Sequence, residues 1–232
     1  MVKLNHIKTK QVFDSGFFNN ITCYNELEQA IIKYADVVNQ GGVERTREVE
    51  LEYYARLGEA FEVYTEFFFS RFGVKENPLL NITNIKDTSS VKMNVGYDFT
   101  YKDIRDNLGH IQSKFSHIPI HTFTRKALGT FVSMADEDGV PANRRVLFTN
   151  LYHKPGKESN GIFDVSYIGG LKQMRVIGRI EQETFIERDE TFWNDFVCVL
   201  RKSSEPIAVN NAPPPRQHQQ EAMDAINKLF AA

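Results

Sequence analysis

VGYDFTYKDIRDNLGHIQSKF, residues 95–115, holds two short apolar stretches separated by a polar run. Residues 96–101 and 110–115 are rich in aromatic and β-branched side chains and are bounded by Gly, Asp and Asn, the composition of strands joined through a turn. With YKDIRDNLG as the connection, the two form a hairpin. Strands send alternate side chains to opposite faces, so Gln112 and Lys114 emerge together, whereas Ile111, Ser113 and Phe115 point the other way. Asp98 on the partner strand then comes close to Gln112 and Lys114. A lysine inside an otherwise half-buried strand is the first sign of chemistry.

Outward from this hairpin, further strands are expected at 80–85, 145–149, 163–168 and 174–180. Residues 122–139, TFTRKALGTFVSMADEDG, predict a short helix on Ala127, Leu128, Phe131 and Met134, closed by Gly139. On the N-terminal side, residues 43–73 carry Leu51, Tyr54, Phe61, Phe68 and Phe72 at multiples of three to four residues. That is one long helix, or two joined near Gly58, with Gly73 as its C-cap. An earlier helix over 22–39 rests on Leu27, Ile31, Ile32, Tyr34 and Val38, with Thr22 as cap and Glu26 in its first turn. Residues 191–203 read as an amphipathic helix, 204–215 (SEPIAVNNAPPP) as an extended linker, and 216–230 as the start of another helix. The fold class is α/β, a central mixed sheet flanked by helices.

Of 232 residues, 41% are apolar and 25% charged, which suits a folded core and argues against disorder. The N-terminus, MVKLNHIKTKQ, has no apolar run of signal-peptide length, and no stretch approaches the ~18 apolar residues of a membrane span, so a cytoplasmic protein with no membrane partner is expected. Cys23 and Cys198 have no CxxC spacing; neither a disulfide framework nor a zinc site is indicated, and both thiols are expected to be buried. The net charge of −2 is unevenly spread: residues 144–179 hold seven Lys/Arg against two acids, leaving −7 for the rest. Such a basic segment suits a polyanion, although solvated strand-edge charge gives the same pattern.

A carboxylate, a side-chain or backbone carbonyl and a nearby lysine are what a hard cation needs to hydrolyse a phosphodiester: oxygen ligands hold Mg²⁺, and the ammonium orients water or stabilises charge on the phosphate. Asp98, Gln112 and Lys114 supply most of that set. A further acid is available from GEAFEVYTEFF, residues 58–68, as Glu59, Glu62 or Glu66. His110, His117 and His121 are spaced seven and four residues apart, which fits no standard ligand set and leaves surface or DNA-facing roles. Asp136, Glu137 and Asp138 read as a helix-terminating run, and the aromatics of 61–69 as core packing.

The hairpin resembles the Mrr-like branch of the PD-(D/E)XK nucleases, in which an aspartate follows a Gly-x pair and (D/E)xK becomes QxK. LGEAFEVYTEFFFSRFG looks like the first helix of that branch, whose Phe-Glu pair is matched by Phe61 and Glu62, and RRVLFTNLYH is similar to its later strand ending in Thr before a DNA-facing loop. The resemblance implies a restriction-endonuclease-like core with Glu62, Asp98, Gln112 and the carbonyl of Ser113 holding Mg²⁺, for which Mn²⁺ substitutes, and Lys114 as the catalytic lysine. It further implies DNA as partner, with backbone contacts expected from Arg144, Arg145, Lys154, Lys172 and Arg175. PPPRQHQQEAMDAINKLF looks like the segment that opens a superfamily 2 helicase motor, although no GxxxxGK[ST] loop occurs. The organisation thus expected is an N-terminal helical extension (1–44), a nuclease domain (45–204), and a linker with the start of a helicase domain (205–232), as in type ISP restriction enzymes. A helicase in cis and a dimer on DNA are the expected partners. A binding domain of the same fold that cleaves nothing, and a nuclease for RNA, single strands or flaps, are the alternatives the sequence leaves open.

Overall fold

The structure, a computed structural model, describes residues 4–39, 46–72, 82–88, 96–118, 123, 125–152 and 174–204. The expected strand at 163–168, the C-cap at Gly73, the linker and final helix, His121, Lys154 and Lys172 lie outside these residues. In chain order the elements are α1 (Thr9–Asp14), α2 (Tyr24–Asp36), α3 (Arg47–Phe72), β1 (Ile82–Asp87), β2 (Phe99–Asp103), β3 (Leu108–Lys114), α4 (Arg125–Glu137), β4 (Arg145–Thr149), β5 (Arg175–Ile177), α5 (Arg179–Ile186) and α6 (Phe192–Ser204).

The five strands form one sheet in sequence order, antiparallel from β1 to β3 and parallel from β3 to β5. The β2–β3 hairpin pairs Phe99 with Ile111 and Lys102 with Leu108. Its turn is built by Asp103, whose carboxylate accepts from the N–H groups of Arg105 and Asn107 and from the Asn107 amide, while Asp106 takes φ +65°. β3 to β4 needs a crossover because parallel neighbours cannot be joined by a tight turn, and α4 provides it.

Alternation then divides the interior. Ile111, Val146, Phe148 and Ile177 face α3, where Phe61, Phe68 and Phe69 pack on Phe148 at ring separations of 5.0–5.5 Å. Leu147 and Val176 face the other way, against Leu128 and Phe131 of α4. The α3 helix is a single element through Gly58: its first turns are largely exposed, and from Leu57 onward it is buried nearly all round, as expected of a helix laid across a sheet and covered by α2 and α6. Leu4, Val12, Phe18, Leu27 and Ile31 belong to the same apolar cluster as Phe61 and Phe148, so residues 4–36 are built into the core of the sheet domain.

Some expectations are corrected. Both cysteines are exposed. Cys23 precedes α2 as its N-cap, and Cys198 lies on the outer face of α6, whose inner face is Phe192, Phe196, Val199 and Leu200. The apolar run 174–180 is strand only to Ile177; Gly178 caps α5. His110 is fully buried rather than at the surface, stacked on Tyr97 at 3.8 Å. No helix among the described residues is long and apolar enough to cross a membrane.

Candidate active site

The site is assembled where β2 begins. Gly96 has φ +75°, and a Cβ there would come within 2.9 Å of Thr130 and Met134 on α4, so glycine is needed both for the turn and for the close approach. Two residues later the main chain of Asp98 is held from both sides. Its N–H donates to the Ile111 carbonyl at 3.0 Å, and its carbonyl accepts the N–H and hydroxyl of Thr88 at 3.0 and 2.8 Å.

The side chain of Asp98 lies over β3. One oxygen, Oδ2, accepts both the backbone N–H of Ser113 (2.6 Å) and the amide Nε2 of Gln112 (2.5 Å). Burial, followed by the negative charge of Glu62, pushes this carboxyl up to about 8; Lys114, the Ser113 N–H and His6 pull in the other direction without overcoming it. Glu62 from α3, Lys114 from the end of β3 and His6 from the N-terminal segment are near enough to act electrostatically on Asp98.

Ser113 turns its side chain to the opposite face. Thr65 Oγ1 donates to the Phe61 carbonyl at 2.7 Å, so the 2.8 Å contact between the hydroxyls is a donation from Ser113, which pins β3 to α3 four residues from the Phe61–Glu62 pair. Gln112 is buried and acts as a donor toward Asp98; its Nε2 also lies 3.4 Å from the Ser113 carbonyl. Glu62 binds His6, Oε2 to Nε2 at 2.9 Å, and Glu59 binds Lys8 Nζ at 3.2 Å. Glu66, the third acid that the sequence offers, is buried and accepts the backbone N–H groups of Asn5 (2.8 and 2.9 Å) and His6 (3.0 Å). Burial raises its pKa despite those two bonds.

His6 is no candidate on sequence grounds, and Glu66 stands there only as an alternative to Glu62. A single histidine in a lysine-rich terminus has no spacing to flag it, and the third glutamate of GEAFEVYTEFF looks like any other until its partners are known.

The arginines expected to hold DNA divide differently. Arg145 is buried, and its guanidinium is engaged by the Val140 carbonyl and Asp136, so it ties β4 to the end of α4 and is not available to a phosphate. Arg144 is half-exposed at the sheet edge, donating to the Leu108 carbonyl at 3.1 Å, and Arg175 pairs with Glu181 at 2.9 Å.

Among the described residues no three His, Cys, Asp or Glu side chains form a cation cage. The donor set offered is smaller: two carboxylates, an amide and a main-chain carbonyl. That set suits Mg²⁺, which keeps several waters and commonly takes only one or two protein carboxylates. Burial is the larger cause of the raised Asp98 pKa and the negative charge of Glu62 the second, so a divalent cation beside the two carboxyls would offset the second of these.

No protein-family profile, curated protein or solved structure matches the chain.

Proposed function

We propose that the chain is a divalent-cation-dependent DNA endonuclease domain with a restriction-endonuclease-like core. The observation that carries this reading is that Gln112 Nε2 and the Ser113 N–H both bond one oxygen of Asp98, with Glu62 and Lys114 near enough to act electrostatically on the same carboxyl. These are the residues that the sequence resemblance singles out, drawn from one helix and two paired strands. The choice of DNA over other phosphodiesters rests on that resemblance and on the basic segment 144–179.

In this reading Asp98 and Glu62, with the carbonyl of Ser113 and the Gln112 amide turned to present its oxygen, would hold Mg²⁺, which would supply charge neutralisation and an acidified water. The Asp98 carboxyl, pushed up to about 8, would have to give up its proton for a cation to be held there. Lys114 donates to the attacking water or to a non-bridging phosphate oxygen, fixing the direction of attack in line with the P–O3′ bond. Water gives up a proton to solvent as its oxygen bonds to phosphorus, the P–O3′ bond breaks and the O3′ takes a proton from solvent, and the products carry a 5′-phosphate and a 3′-hydroxyl. Contacts to the phosphate backbone carry no base information, so sequence preference is low. A motor in cis and pairing of two domains on DNA supply targeting and the second-strand cut.

The test is supercoiled plasmid incubated with the protein and Mg²⁺. Wild type nicks it, while Lys114→Ala and Asp98→Ala do not; equal nicking by all three removes the site. A panel of single-stranded, flap and RNA substrates decides among the substrate classes.

A further inference from the structure

We infer that His6 is a positioning residue of the cation site, fixing the Glu62 carboxylate through its 2.9 Å ring contact from outside the helix and hairpin that supply the ligands. The inference rests on the reading of Glu62 and Asp98 as cation ligands and adds a component that the sequence resemblance does not contain.

The His6 side chain is 1% exposed, and each of its polar groups is engaged. Its main-chain N–H donates to Glu66 Oε2 at 3.0 Å, and its carbonyl accepts the N–H and hydroxyl of Thr9 at 3.0 and 2.8 Å. Its ring Nδ1 accepts the N–H of Lys8 at 3.2 Å, which assigns the proton to Nε2, the nitrogen 2.9 Å from Glu62 Oε2. The ring therefore has one task left, to donate to Glu62. Glu62 needs such a partner because it sits on the flank of α3, 22% exposed, with a glycine at position 58 one turn below and nothing bulkier there to restrict its rotamers. An unanchored glutamate loses side-chain entropy when it is called on to bind.

The charged groups that act on the ring are acidic: Glu62 and Glu66 on α3, Asp87 at the end of β1 and Asp98 before β2. A buried carboxylate that clamps two successive N–H groups is an unusual use of Glu66, since burial alone disfavours its ionised form. It has a direct consequence: the clamp fixes the backbone of residues 5 and 6, and with it the ring. The pattern is a ligand carboxylate that is itself hydrogen-bonded by an outer residue, and loss of such an outer partner typically weakens metal binding ~10–100-fold.

The experiment compares His6→Gln with His6→Asn in the full chain. The Gln amide reaches about as far as Nε2 and restores a donor to Glu62; the Asn amide ends near the level of Nδ1 and does not. Mn²⁺ binding is read by the electron paramagnetic resonance signal of free Mn²⁺, thermal unfolding is recorded for each variant, and Asp98→Asn is run in parallel. The expected result is a ~10–100-fold loss of Mn²⁺ affinity in His6→Asn, with most of it recovered in His6→Gln. Equal affinities in the two variants overturn the inference, whether both match wild type or both are lost. If Asp98→Asn also binds as wild type, the cation site itself is wrong and the inference falls with it; if only Asp98→Asn is weakened, the site stands and His6 has no part in it. Should either His6 variant not fold, the His6 Nε2–H resonance of the wild type decides: it shifts with the same midpoint as Mg²⁺ binding, and a resonance that stays in place refutes the role.

Discussion

Replacing Asp98 by Asn stabilises the cation-free protein, and does so increasingly as pH rises. The structure supplies both halves of the reasoning. Ser113 N–H and Gln112 Nε2 donate to one and the same oxygen, Oδ2, which leaves the other oxygen to carry the proton of a neutral acid. Asn has the same shape as that protonated form: its carbonyl oxygen takes both bonds and its amide stands where the O–H was. The energetics follow from linkage. The folded pKa is pushed up to about 8 from an ordinary value of 3.8, so the native state retains a proton that the unfolded chain releases. Stability from this group is complete below about pH 4 and is lost as pH rises toward 8, at no more than ~1.4 kcal/mol per unit. Asn has no proton to retain and loses nothing. Between pH 5 and 7 the Asn variant should therefore gain on wild type by roughly 1–3 kcal/mol, the upper figure being two full units of slope and the lower allowing for relaxation around a partly open site. His6 and Glu66 also titrate with raised pKa values, but they are present in both proteins and largely cancel in the difference. The assay is urea unfolding with EDTA at the two pH values. A stability difference that does not change with pH would falsify the argument that Asp98 is held as a neutral acid. Saturating Mn²⁺ adds a second check, because wild type then gains RT ln(1 + [L]/Kd) and the ranking of the two proteins reverses.

Two other outcomes are expected. Because the cation must displace the Asp98 proton, apparent Mn²⁺ affinity should rise with pH, up to ~10-fold per unit, and level off near 8; a flat profile between pH 6 and 8 counts against Asp98 as a ligand. Gly109 lies opposite Tyr101 in the hairpin, where a Cβ would overlap the phenol ring whose hydroxyl donates to the Arg144 carbonyl at 3.1 Å, so Gly109→Ala should lower stability by ~1–3 kcal/mol in denaturant unfolding.

Much of the fold was legible because local rules and burial agree. The α3 helix, the β2–β3 hairpin, α4 and β4 each carry the period of the element they form, and Gly139, at φ +66°, closes α4 as its composition suggests. The failures have physical causes. The strand predicted from 96 begins only at Phe99, since Gly96 is in the left-handed region and the Asp98 carbonyl is taken by Thr88. The α5 helix hides its period because two of its four buried positions are polar: Arg179, whose cation lies 4.6 Å from the Tyr24 ring, and Gln182, which bonds the carbonyls of Thr149 and Ile177 and the hydroxyls of Tyr24 and Tyr64. A pattern of apolar residues cannot reveal a helix whose inner face is secured by hydrogen bonds.

The candidate site was readable to the extent that its chemistry is carried by residues close in sequence. Asp98, Gln112 and Lys114 lie within one hairpin, and strand alternation with a single register brings them together without knowledge of the rest of the fold. Glu62 requires one more fact, that α3 packs on the Ser113 face of β3, and the aromatic run after it makes that packing the natural one. His6 is beyond such reasoning. Its contact with Glu62 spans 56 residues and depends on Glu66 accepting charge into the interior in order to bind two amides, a choice that hydrophobic patterning counts as unfavourable. Buried ionised groups are retained against their desolvation when they fix something that packing alone leaves loose. What Glu66 fixes is the backbone of the residue that faces Glu62. The buried carboxylate with no catalytic motif around it thus has its explanation in the half-buried one a turn away, and the two should be lost or kept together when either is substituted.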